Sequence, residues 1–326
     1  MKTIFIVNPN AGTGKNTDAL ISAINDVIKK LKADAQIYVT KAVGDAQIYV
    51  KNFCEKFGEA RFIACGGDGT LSEVLNGAMG HSGVEIGVVP KGTGNDFCRN
   101  FNDDCNFEDI ARQITDESME CDAIRYVAEL DEENVENVEG YAVNMFNIGF
   151  DCNVADLTQT MKKKPFISGS LAYFLSILVT LIKKKGADLK IEIDGKLVYN
   201  GKLLLTSLAN GSFCGGGIKS NPLASVKDGL ININIIKNLS RIKFISLLPS
   251  YMKGTVLEIS GIEKYITSQK CHKVTITPNS GIMKLCIDGE ITDAKRTHFE
   301  IVHNAFRFVV PKAKMIKSQP VLAEMK

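Results

Sequence analysis

The run from Arg61 to Thr70, R-F-I-A-C-G-G-D-G-T, constrains the fold of this chain more than any other. An apolar strand enters a glycine-rich turn, and Thr70 to Leu75 behind it has helical spacing. Strand, turn and helix in that order make a phosphate site. Gly66, Gly67 and Gly69 are expected to take backbone angles closed to other residues, so that their N–H groups converge on an anion. The helix that follows adds its positive end. Asp68 would repel a bare phosphate, so a cation should lie between the two, and magnesium on a nucleotide polyphosphate meets that need. The plainer reading is a βα turn with an N-capping aspartate.

The residues before and after this run repeat the same alternation. Thr3 to Val7 ends in the turn Asn8-Pro-Asn-Ala-Gly12, and Leu20, Ile24, Val27 and Leu31 then follow at helical steps. Gln36 to Lys41 reads as a strand, Ala46 to Phe57 as a helix, Thr70 to Met79 as a helix and Glu85 to Pro90 as a strand. Lys91 to Phe97 supplies a second glycine turn. Short strands alternating with helices predict a parallel sheet, with the turns and Thr40 gathered along its carboxyl edge. The hexapeptide D-A-Q-I-Y-V occurs at 34–39 and again at 45–50, one copy falling in a predicted strand and the other in a predicted helix. It is too short to mark a repeat architecture.

From Ala123 onward strands predominate, between Ile124 and Val310, among them Tyr141 to Phe150, His298 to Val302 and Phe306 to Val310, which predicts an antiparallel β-sandwich. At 326 residues, two domains and a tail are expected: 1–122, 123–311 and 312–326. The acidic stretch Glu129 to Glu139 reads as a solvated loop. Phe166 to Ile182 is apolar and lysine-flanked but interrupted by Ser, Gly and Thr, so a buried or groove-lining helix is expected and no transmembrane segment. Its lysines could still meet anionic lipid. Asp288 and Glu290 are expected two apart on one strand with both carboxylates on one face, one taking a hydroxyl proton while its neighbour holds a metal. The alternative for D-G-E is a hairpin turn.

Charge and cysteine use narrow the function further. A net charge of +2 gives no electrostatic case for nucleic acid. Nine scattered cysteines without a C-x-x-C pair read as reduced thiols in a cytoplasmic protein, and four unpaired histidines speak against zinc. The apolar run at the start is too short for a secretory signal.

Taken together, N-P-N-A-G at 8–12, G-G-D-G-T at 66–70, P-K-G-T-G-N-D-F at 90–97, N-G-S-F-C-G-G-G at 210–217, the segment Pro222 to Ile231, and D-G-E at 288–290 resemble the diacylglycerol kinase catalytic-domain family of bacterial lipid kinases. The resemblance spans about residues 3–311. It implies an α/β nucleotide-binding domain and a β-sandwich domain with the active site in the cleft between them. It also implies ATP held by Asn8, Pro9, Asn10, Ala11, Gly12, Thr40, Gly66, Gly67, Asp68, Gly69, Thr70, Leu71, Ser72, Thr93 and Asn95. Glu290 would be the proton acceptor, with Asp288 beside it and Asp68 near the magnesium. A structural magnesium is implied at Asp228 and the main-chain oxygens of Ser225 and Leu230, with Asp122 linked through water. The residues after Ala224, S-V-K, are less charged than is usual for that motif.

The expected activity is transfer of the γ-phosphate of ATP to a hydroxyl of diacylglycerol or a similar lipid, with magnesium, by a cytoplasmic protein that visits the inner face of the membrane reversibly. An NAD kinase-like enzyme and a non-catalytic nucleotide- or lipid-binding regulator are the alternatives. The sequence leaves a homodimer open and does not identify the lipid.

Overall fold

In the computed structural model, residues 1–12, 16–101, 103–130, 137–150, 152–154, 157 and 186–312 are described. The apolar helical stretch at 166–182 with its lysines, most of the acidic loop and the tail beyond 312 lie outside these. Strands β1 (Thr3–Val7) and β3 (Ala60–Gly66) are buried along their whole length, and β4 (Val84–Pro90) along most of it. With β2 (Ala35–Val39) they form the parallel order β2-β1-β3-β4. Strands this apolar need helices on both faces. Helices α1 (Thr17–Leu31) and α4 (Ile110–Thr115) cover one face around Phe5, Ile24 and Ile63. Helices α2 (Asp45–Phe57) and α3 (Asp68–Ala78) cover the other around Val50, Phe62 and Val74.

The remaining strands are β5 (Ser118–Glu129), β6 (Val138–Ala142), β7 (Met145–Gly149), β8 (Ala187–Ile193), β9 (Lys196–Ala209), β10 (Ile231–Lys237), β11 (Ile266–Cys271), β12 (Lys273–Pro278), β13 (Met283–Ile287), β14 (Glu290–Ala294) and β15 (Arg296–Val309). Their pairings with one another are antiparallel. They enclose a second core that includes Phe146, Ile191, Ile233 and Phe299. Helix α5 (Arg241–Lys253) packs on an outer face through Phe244, Leu247 and Tyr251. The predicted parallel α/β layer and antiparallel β-sandwich are therefore both present.

The two layers are joined by shared strands. β15 shifts register between Val302 and Phe306, and Arg307 and Phe308 then run parallel to Glu85 and Ile86 of β4. Phe306 and Phe308 pack against Phe97 in the α/β core. The expected boundary at residue 122 falls inside β5, whose first residue, Ser118, pairs with Val309 at the end of the last strand.

Three sequence expectations need correction here. The single strand expected from Tyr141 to Phe150 is two, β6 and β7, broken at Val143 and Asn144 where the backbone amides turn to a buried carboxylate. The strands expected at 298–302 and 306–310 are one bulged strand. β11 and α5 were not anticipated; α5 is bounded by the Ser240 side chain, which accepts from the Lys243 amide, and by Gly254 at φ 77.

Candidate active site

The parallel ladder continues past the strand ends. The Asn8 amide donates to the Cys65 carbonyl (3.0 Å), Lys91 to Gly66 (2.8 Å) and Thr40 to Val7 (2.9 Å), which draws the four strand ends into one edge. Gly66, Gly67 and Gly69 do not use left-handed angles, contrary to expectation; Gly67 has φ −96. Close approach requires glycine at 66 and 67 instead, while position 69 has room for a Cβ. A Cβ on Gly66 would lie 2.2 Å from Thr70 Oγ1, and one on Gly92 would lie 2.5 Å from the Gly67 Cα. The two glycine turns are stacked backbone against backbone. Gly12 does take a positive φ (62), and a Cβ there would sit 2.5 Å from the Lys91 carbonyl oxygen.

Side chains brace this edge. Asn8 Nδ2 donates to Thr70 Oγ1 (3.1 Å), while its Oδ1 accepts the Asn10 amide (2.9 Å) and the Asn8 carbonyl accepts the Ala11 amide. The Pro9 carbonyl accepts the Thr17 hydroxyl, and the Ser72 carbonyl accepts Asn76 Nδ2. Asn95, at φ 51, closes its own turn by exchanging bonds with the Gly92 amide and carbonyl. Leu71 is in the core, so its side chain belongs to packing rather than to the nucleotide. Asp68 lies across the two turns: its Oδ1 accepts the Asp96 amide at 2.8 Å. Burial pushes its carboxyl up, and the amides at 95–97 pull it back. Part of the positive partner that Asp68 requires is thus the amide edge of the second turn.

The opposite wall comes from the sandwich. Asp288 and Glu290 do not share a strand face. Asp288 (φ 45) and Gly289 (φ 100) form the two-residue turn between β13 and β14, the left-handed pair that a tight hairpin demands. The Asp288 carboxylate turns inward and accepts the amides of Val143 (2.9 Å), Asn144 (3.1 Å) and Met145 (2.8 Å). Its role beside Glu290 is to hold the hairpin. Glu290 opens β14 and is exposed. One of its oxygens lies 3.9 Å from the point a Cβ on Gly69 would occupy, so this carboxylate meets the first turn of α3.

Burial pushes the Asp288 carboxyl up to about 7, the three amides oppose this, and the Asp68 charge adds to it. The folded form then holds a proton that the unfolded chain releases, so this group's contribution to stability declines as pH rises from 3.8 through about 7. Asn suits the same left-handed turn and carries no charge. In urea unfolding, the stability difference should move in favour of Asp288→Asn across that window; a difference that is flat with pH would contradict the account.

With the geometry in place, residues 2–126 match the family model described as the diacylglycerol kinase catalytic domain. Residues 144–310 match the YegS C-terminal NAD kinase beta sandwich-like domain. The chain belongs to the family that joins a diacylglycerol kinase catalytic domain to a YegS C-terminal domain. Relatives in Staphylococcus aureus strains Mu3 and Newman, each named "Putative lipid kinase", are 29% identical over 308 residues, which is 93% of this chain and 92% of theirs. A crystal structure described as a diacylglycerol kinase from Bacillus anthracis str. Sterne shares the fold at TM-score 0.66 and 21% identity, covering 95% of this chain and 96% of its own. Yeast NADH kinase complexed with NADH is a more distant fold relative, at TM-score 0.53 and 12% identity over 96% of this chain and 84% of its own.

Several residues that shape the cleft in this family member were not singled out from the sequence. Asp96, at the end of the second glycine turn, accepts the amides of Gly216 (2.9 Å) and Gly217 (2.8 Å). Those glycines sit at φ 84 and 115, so the G-G-G run presents two amides to one carboxylate. The Asn76 amide group bonds both ways with the Tyr141 backbone, tying α3 to β6. Asn100 receives the Ser212 amide and donates to Asn144. Glu73, which follows the G-G-D-G-T motif and reads in the sequence only as part of it, caps α2 by accepting the amides of Gly44 and Ala46. Their shared signal is an Asn, Asp or Glu inside or just after a motif.

The edge fits a nucleotide polyphosphate, since the close stacking of the turns at Gly12, Gly67 and Gly92 brings their backbones together where α3 presents its N-terminus. A structural magnesium at Asp228, with the main-chain oxygens of Ser225 and Leu230, would have to displace protein partners of this carboxylate. Asp228 Oδ2 is paired with the Lys270 ammonium at 2.5 Å, and its Oδ1 accepts the Leu230 amide. The buried Asp122 carboxylate takes the Gly229 amide, His303 Nδ1 and the Asn304 amide. Among the described residues, no group of three or more His, Cys, Asp or Glu could hold a metal. Magnesium added without nucleotide should therefore leave the melting temperature unchanged, whereas Lys270→Ala should lower it. A rise with magnesium in the wild type would put the ion back at Asp228.

Proposed function

We propose that this chain is a lipid kinase that transfers the γ-phosphate of ATP to a hydroxyl of diacylglycerol or a similar lipid. The observation that carries the reading is the exposed Glu290 carboxylate set against Gly69, at the N-terminus of the helix that would receive the phosphates. Asn8 to Gly12, Thr40, Gly66 to Ser72, Thr93 and Asn95 would line the nucleotide site, largely through backbone amides. Magnesium, carried by the phosphates near Asp68, would neutralise charge. Glu290 accepts the proton of the attacking lipid hydroxyl, Asp288 and its three amides fix the hairpin that presents it, and the Asp96 latch holds the two walls at working distance. Between β9, β10 and α5 lies a small apolar pocket of about 20 Å³, lined by Leu205, Ile236, Phe244 and Leu247 among others, too small as it stands to hold an acyl chain. The kinase role places the protein in the cytoplasm, at the inner face of the membrane.

The test is incubation with γ-labelled ATP, magnesium and diacylglycerol in mixed micelles, with NAD in parallel. Label in an organic-extractable product is expected. Label in a phosphorylated dinucleotide, or no labelled product from a total lipid extract, would overturn the reading.

A further inference from the structure

Helix α5 is apolar on two opposite sides. At 100° per residue, Phe244, Leu247 and Tyr251 fall together and are buried against the sheet. Ile242, Ile245, Pro249 and Met252 fall together on the other side, within an arc of about 80°. That side is open: Ile242 is 83% exposed, Ile245 56% and Met252 38%. Soluble surfaces scatter such residues singly, and a stripe four residues long on one helix face marks a contact. The charge on the helix indicates which contact. It carries Arg241, Lys243 and Lys253 and no acidic residue. Lys253 is nearly in line with Ile242 and Arg241 borders the stripe beside Met252, apolar insertion residues edged by cations, whereas Lys243 is turned away, its ammonium 5.4 Å from the centre of the Tyr265 ring. Directly beneath the same helix, Phe244, Leu247 and Leu248 line the apolar pocket.

We propose that the Ile242, Ile245, Pro249 and Met252 face of α5 docks on an anionic lipid bilayer, with the helix lying in the interface. The inference rests on the lipid-kinase reading for its purpose, but its surface chemistry can be tested separately. Two inserted isoleucines supply apolar burial, and each cation at the edge of the stripe adds attraction to anionic headgroups.

The full chain is co-sedimented with phosphatidylcholine vesicles, with and without phosphatidylglycerol, at low and high salt. The wild type should pellet with the anionic vesicles and release in salt. Ile242→Asp with Ile245→Asp should weaken partitioning roughly tenfold or more. Lys253→Gln should weaken it about fivefold, and on anionic vesicles only. The aspartate pair should melt at or above the wild-type temperature and keep its activity toward a water-soluble short-chain diacylglycerol below the micelle threshold. Wild-type pelleting by the aspartate pair would overturn the proposal. A melting temperature lowered by several degrees would mean that protein covers the stripe, and loss of self-association in sedimentation velocity would assign it to a second copy; either overturns it. Vesicle binding that follows these rules in a protein inactive on every lipid would sink the kinase reading and leave the docking face standing.

Discussion

Glu290→Gln should lower turnover by about 10²-fold or more while ATP affinity stays near that of the wild type. The substitution keeps the shape of the side chain and removes only its ability to take a proton. Glu290 is exposed at the start of β14, so the change leaves no buried group unpaired and should not move the melting temperature. The other carboxylates nearby are committed. Asp288 accepts three amides, Asp96 accepts Gly216 and Gly217, and Asp68 accepts the Asp96 amide. None can swing to the lipid hydroxyl without breaking the bonds that shape the cleft. A loss confined to kcat, measured with saturating ATP and lipid, fits a missing base. Full activity in Glu290→Gln would require the hydroxyl to lose its proton to water or to the phosphate itself.

The parallel layer was legible because buried strands and amphipathic helices differ in period and length, and the chain alternates between them in short units. The repeated hexapeptide shows how far context governs the outcome. D-A-Q-I-Y-V builds β2 in its first copy and opens α2 in its second, and Tyr38 and Tyr49, the same position in each copy, stack with ring centroids 3.7 Å apart. Local propensity cannot separate the copies; the neighbouring strand β1 and the capping carboxylate of Glu73 do so. The candidate site stands out in the sequence as motifs, but the physical reasons for two of those motifs do not. D-G-E looks like a strand pair until the β13 and β14 registers show that Asp288 and Gly289 are the turn. G-G-D-G-T looks like a set of unusual backbone angles, whereas Gly67 makes room for the turn at Gly92 and Gly66 for the Thr70 side chain, which sequence spacing does not reveal. The latch from Asp96 to Gly216 spans 120 residues and has no local signal. Helix α5 was missed because apolar residues on both sides, with Pro249 inside, obscure a single helical stripe.

Gly67→Val is the sharpest test of the stacked turns. Valine is at home at φ −96, ψ −168, so backbone strain is not the cause of any effect. A Cβ at Gly67 would already sit 3.1 Å from the Gly92 Cα, and the γ carbons of valine need more room. The Gly92 turn must move away, taking with it the Asp96 amide bound to Asp68 and the Asp96 carboxylate bound to Gly216 and Gly217. ATP affinity should fall about tenfold or more, and stability by about 1–3 kcal/mol, as for other overpacked sites. The fold should survive, because the strand cores lie outside the contact. Gly92→Ala should behave alike, its Cβ meeting the Gly67 Cα at 2.5 Å. Because both variants open the same gap, the double variant should cost less than the sum of the two. Strictly additive losses would mean that the turns do not touch, and undiminished ATP binding by Gly67→Val would remove the nucleotide from this edge.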